Sequence, residues 1–82
     1  MKLVSWNLAG WVKKVNKQVE ALISQEPTII CLQEVRKTAL ETIIRKFQNA
    51  GYSYFQDSIL LAEENNRSRG NMVVSKYPLK FL

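Results

Sequence analysis

Residues 28–33, Thr-Ile-Ile-Cys-Leu-Gln, make a near-continuous β-branched and apolar run directly behind Pro27. Runs of this kind belong to strands covered on both faces, the habit of parallel sheets. Upstream, Leu3, Ser5 and Asn7 alternate with Val4 and Trp6, which suits a short strand ending near Asn7 before a turn at Gly10. Val12, Val15, Val19, Leu22 and Ile23 then recur along one face of an amphipathic helix. Asn16 is an alternative cap that would start the regular helix a turn later. Pro27 ends the helix and is expected to push Glu26 into extended geometry. Strand, helix and strand in this order make a βαβ unit, whose right-handed crossover is the overwhelming default and renders its strands parallel.

The second half continues the pattern. Thr38 with Glu41 three residues on is a capping-box spacing, and Leu40, Ile43, Ile44 and Phe47 form a second apolar stripe. Ala50-Gly51 reads as the helix stop. Residues 52–55 read as a third strand, 62–70 as a long polar loop and 71–75 as a last strand before Tyr77-Pro78. The fold class is therefore α/β, with two helices and about four strands. A chain of 82 residues buries only about 60% of its unfolded surface. Two helices leave a sheet face or edge uncovered, and the sequence stops just after a strand and a turn. Residues 1–82 are accordingly expected to be the N-terminal part of a larger domain.

Composition narrows the chemistry. The sequence contains no His, which excludes a Ser-His-Asp or Cys-His pair, an imidazole zinc site and a His general base within it. Asp57 is the single Asp, so an Asp-rich metal cluster is excluded as well. The lone Cys31 cannot form an intrachain disulfide, no apolar run approaches a membrane span, and no secretory core follows Met1. These features give a cytoplasmic setting as the expectation. Asn66-Arg67-Ser68 matches a glycosylation acceptor, read as a chance match in the absence of a secretory signal.

Two residues stand out. Asn7 and Glu34 each close a strand of the βαβ unit, and ligands of open α/β sheets gather outside the carboxyl ends of strands. A neutral and an anionic oxygen side by side suit a hard cation such as Mg²⁺. The simpler alternative is an Asn that starts a turn and a solvated Glu. Basic residues surround them: Arg36 and Lys37 after Glu34, Lys13, Lys14 and Lys17 after Gly10, and Arg67 and Arg69 before Gly70. With 12 Lys and Arg against 7 Asp and Glu, for a net charge of +5, they favour phosphate and steer a polyanion, or serve only as a solvated surface. Trp6 is expected in the core, on the strand face opposite Asn7, and Trp11 packs over the first turn or stacks on a base.

Three motifs in register add to this. Ser5-Trp6-Asn7-Leu8-Ala9-Gly10, Ile30-Cys31-Leu32-Gln33-Glu34-Val35 and Arg69-Gly70-Asn71-Met72-Val73-Val74-Ser75-Lys76-Tyr77-Pro78-Leu79 together resemble the N-terminal part of the endonuclease/exonuclease/phosphatase superfamily, over the whole chain. The group holds exonuclease III-like DNA repair nucleases and many metal-dependent phosphatases. The resemblance implies a four-layer α/β/β/α sandwich, with Asn7 and Glu34 binding a catalytic Mg²⁺ or Mn²⁺. It also implies a metal-polarised phosphoryl group attacked by water that a His–Asp pair activates, motifs with no counterpart in these residues. The expected function is part of a Mg²⁺-dependent nuclease or phosphodiesterase acting on nucleic acid or another phosphoric ester, with Arg36, Arg67 and Arg69 as further phosphate contacts. The alternative is a non-catalytic basic α/β module that binds nucleic acid or a protein partner. A dinucleotide-binding domain fits less well, since only one Gly follows the first strand.

Overall fold

The computed structural model describes residues 1–58 and 69–79. Six elements follow one another: β1 (Leu3–Asn7), α1 (Val15–Ser24), β2 (Ile29–Arg36), α2 (Lys37–Asn49), β3 (Tyr54–Asp57) and β4 (Arg69–Ser75). The four strands form one mixed sheet in the order β1-β2-β4-β3. The expected parallel pair is β1 and β2, while β4 runs antiparallel to both of its neighbours. Residues 59–68, which hold Arg67 and most of the expected polar loop, lie outside the described residues.

Register sorts the strand residues onto two faces. Ile30 and Leu32 of β2 stand opposite Val4 and Trp6 on one side and Val74 and Met72 on the other. This face meets Val15, Val19 and Leu22 of α1 and Ala39, Ile43 and Phe47 of α2 in a single buried cluster. The other face carries Leu3, Ile29, Cys31, Val73 and Tyr54 in register, with Leu3 63% and Tyr54 39% exposed. The β2 run expected to be covered twice is thus covered once, and Ile29 and Cys31 are half-buried. A single sheet with one helical layer is what the described residues form.

Helix boundaries depart from the sequence reading in instructive places. α1 begins at Val15 with no side-chain cap, so neither Val12 nor a capping Asn16 starts it. It ends not with an extended Glu26 but with a left-handed one, φ 53°. The helical Gln25 before it aims the Glu26 N–H back at the Ile23 carbonyl, 2.9 Å away, and Pro27, which has no N–H to satisfy, follows it into the core. α2 starts at Lys37, capped by extended Arg36 without a side-chain bond. Thr38 is therefore already inside the first turn and cannot close the expected capping box. Glu41 pairs instead with Arg45 one turn on, at 2.7 Å.

The end of α2 follows expectation and adds an anchor. Gly51 is left-handed (φ 96°), Tyr52 N–H bonds to Phe47 O at 2.9 Å and Gly51 N–H to Gln48 O at 3.0 Å. This is the Schellman pattern, with its accompanying apolar contact made by the Tyr52 and Phe47 rings, edge to face at 5.3 Å. Tyr52 thus belongs to the helix cap, and β3 starts two residues later than the sequence suggests. Its buried hydroxyl donates to the Pro27 carbonyl, tying the end of α2 to the approach to β2. Burial, with the Glu26 charge as a lesser cause, pushes the Tyr52 phenol above its ordinary range.

Candidate metal centre

Asn7 is the last residue of β1 and faces away from the helices, opposite Gln33 of β2. Its side-chain carbonyl accepts the Ala9 N–H at 2.7 Å, an Asx-type turn that folds the chain back over the rim. Ala9 (φ 54°) and Gly10 (φ 68°) are both left-handed. The turned segment stays on β2: Leu8 N–H reaches Gln33 O at 2.9 Å and Gly10 N–H reaches Glu34 O at 3.0 Å.

Glu34 does not close its strand, as the sequence reading had it, but sits in a β-bulge two residues before the end. Leu32 pairs with Met72 and Val35 with Gly70, so Gln33 and Glu34 together oppose Asn71 alone. The reason lies in burial. Leu32 and Val35 are both buried under the helices, yet they are three apart, and a regular strand returns to one face every second residue. The extra residue is absorbed at Gln33–Glu34, and both side chains leave the core. Glu34 takes φ 54°, a conformation that bulges of this type normally assign to Gly. A strained residue with a charged side chain at a sheet rim is a frequent mark of a functional site.

The bulge brings Glu34 to Asn7 and to Arg69. Arg69 Nη1 lies 2.9 Å from Glu34 Oε1. The Asn7 side chain, first, and Arg69, second, hydrogen-bond the carboxylate and hold it below its ordinary range. Arg69 rests against Gly10, where a Cβ would lie 2.5 Å from the guanidinium Cζ and Nε. Four residues from three separate segments thus converge: Asn7, Gly10, Glu34 and Arg69.

The donor set fits a hard divalent cation in part. An amide oxygen keeps a second lone pair beyond the Ala9 bond, and a carboxylate offers about four acceptor sites. No cluster of three His, Cys, Asp or Glu side chains occurs among the described residues, so Asn7 and Glu34 would hold such an ion jointly with other oxygens.

The remaining candidates separate. Arg69, expected as a phosphate contact, has Glu34 as its partner. Arg36 stands opposite Arg69 in register, and its buried Nε has no hydrogen-bond partner among the described residues. Trp6 is on the face opposite Asn7, as expected, but 48% exposed, because β1 is a sheet edge. Trp11 lies under the Lys14 ammonium, 4.7 Å from the ring centroid. The sequence reading missed the bulge and the glycine seat for Arg69. The first had a visible signal, the three-residue interval between inward-facing Leu32 and Val35, and the second had none.

Comparison with known protein families matches residues 4–82 to the Endonuclease/Exonuclease/phosphatase family. Comparisons with curated proteins and with solved structures returned no match.

Proposed function

Because this chain belongs to the endonuclease/exonuclease/phosphatase family, we propose that it forms part of a Mg²⁺-dependent nuclease or phosphodiesterase, with Asn7 and Glu34 as two of the metal's ligands. The family's members hydrolyse phosphoric esters and typically depend on a divalent metal. The observation that carries the proposal is the Asn7–Glu34 contact at the bulge, where a left-handed glutamate places its carboxylate at the rim of a parallel strand pair. Held by Asn7 and Glu34, a Mg²⁺ ion would stabilise the negative charge that develops on a phosphoryl oxygen and on the leaving oxygen.

The chain's own residues prepare that site. The Ala9 N–H fixes the Asn7 amide, and the Asn7 contact keeps Glu34 ionised and aimed. The Gly10 N–H bond to Glu34 O locks the bulge to the β1 turn. The net charge of +5 favours a polyanionic substrate, nucleic acid foremost. The sequence holds no His, so no imidazole within residues 1–82 activates the water.

The test is cleavage of DNA and of a phosphomonoester by the full protein, with and without Mg²⁺, and by its Glu34→Gln form. A loss on the order of 10²-fold or more in kcat/KM is expected for Glu34→Gln, since even supporting groups of metal sites are worth 10–100-fold. Unchanged cleavage refutes the assignment. Salt-sensitive DNA binding that ignores Mg²⁺ and leads to no cleavage would support a binding module instead.

A further inference from the structure

Resting on the metal assignment above, we propose that Arg69 is a resident counter-cation of the site, competing with the divalent metal for the Glu34 carboxylate and keeping the site assembled until the metal arrives. The position of the guanidinium is built rather than incidental. It bonds Glu34 Oε1 at 2.9 Å and occupies the space that a side chain at Gly10 would fill. The N–H of the same glycine holds the Glu34 backbone. β4 carries Arg69 opposite Arg36 and Gly70 opposite Val35, directly beside the bulge. Three segments therefore converge on one cation position next to a carboxylate whose neutral neighbour, Asn7, brings no charge of its own. Asn7 hydrogen-bonds the carboxylate without neutralising it, and the guanidinium supplies the opposite charge at 2.9 Å.

A metal ion that draws on Glu34 Oε1 competes with this bond. Both side chains are about two-fifths exposed (41% and 43%), so the pair is screened and weak enough to exchange. Freed from the carboxylate, Arg69 carries a planar fork matched to a phosphate at the same rim.

The competition is read directly from Mn²⁺ binding to the full protein, followed by the loss of the free-ion electron paramagnetic resonance signal. Arg69→Gln is expected to bind Mn²⁺ about two- to fivefold more tightly, the range set by exposed ion pairs, and inorganic phosphate less tightly. Unchanged or weaker Mn²⁺ binding overturns the proposal. Arg69→Lys, which keeps the charge but not the fork, falls between the two. Should Arg69→Gln not fold, this variant decides, with affinity equal to the parent counting against competition. Glu34→Gln separates the two ideas: undiminished Mn²⁺ binding in that variant refutes the metal site itself, whatever Arg69 does.

Discussion

The left-handed backbone at position 34 makes a quantitative claim that two substitutions isolate. Glu34→Ala and Glu34→Gly both remove the carboxylate, and with it the contacts to Asn7 and Arg69. They differ only in the Cβ. A left-handed residue with a Cβ is disfavoured by about 1–2 kcal/mol. Glycine escapes that penalty but loses about 0.5–1 kcal/mol more chain entropy on folding. The glycine variant is therefore expected to be the more stable of the two by about 0.5–1 kcal/mol, or about 2–8 °C in Tm for a domain of this size. Urea denaturation monitored by Trp fluorescence and thermal unfolding by circular dichroism report it independently. Neither variant retains metal-dependent hydrolysis if Glu34 is a ligand, so the same pair dissects stability from activity. An alanine variant as stable as the glycine variant, or more so, would mean that position 34 is not left-handed in solution, and the case for a strained, function-bearing bulge would fall.

Further outcomes follow from the contacts around it. Asn7→Ala removes the largest cause holding the Glu34 carboxyl below its ordinary value of 4.5. Its ¹³C carboxyl titration should shift upward, and an unmoved midpoint refutes the contact. The lowered value contributes stability that is present above the unfolded carboxylate value and is lost as pH falls through the folded one. Acid unfolding of Asn7→Ala should accordingly lose part of its pH dependence. Tyr52→Phe leaves the Pro27 carbonyl without that donor, at about 1–2 kcal/mol, measured by urea unfolding. Since Tyr52 has a raised phenol pKa, its contribution is full below about 10 and vanishes as pH rises through the folded value. The phenylalanine variant should then show a flatter alkaline limb. Phe47→Ala, fully buried against the sheet, should cost about 3–5 kcal/mol, enough to unfold a domain this small.

The sequence makes much of this architecture legible because the apolar spacing is strong where packing is strong. Val15, Val19 and Leu22, like Ile43 and Phe47, recur at helical intervals, and all five are buried. Helix ends were less readable. The left-handed Glu26 follows a closing hydrogen bond that no residue preference signals, and the Thr38–Glu41 spacing is a capping box only if the helix begins where Thr38 stands. The Asn7–Glu34 pairing was visible from parallel-strand logic, although the reason the two meet was not. Strand-end equivalence places them near each other, whereas the bulge turns the carboxylate out of the core. Arg69 lies 35 positions away from Glu34 in sequence, and its seat on Gly10 depends on the absence of an atom, which no local pattern announces.

The hydroxyl bond from Tyr52 to Pro27 has a mechanical consequence for the site at the far end of β2. A strand that slides by one residue exchanges its two faces, and a regular β2 displaced in this way would bury Val35 without a bulge at the expense of Ile30 and Leu32. That escape is blocked at the start of the strand. Tyr52 clamps Pro27, and the Thr28 and Ile29 N–H groups both bind Lys2 O, at 2.8 and 3.2 Å. With its beginning clamped, β2 behaves like a tape pinned at one end: slack introduced along it gathers at the other. The slack gathers at Gln33 and Glu34, so a tyrosine on the opposite side of the sheet helps decide which residue is thrown outward at the rim.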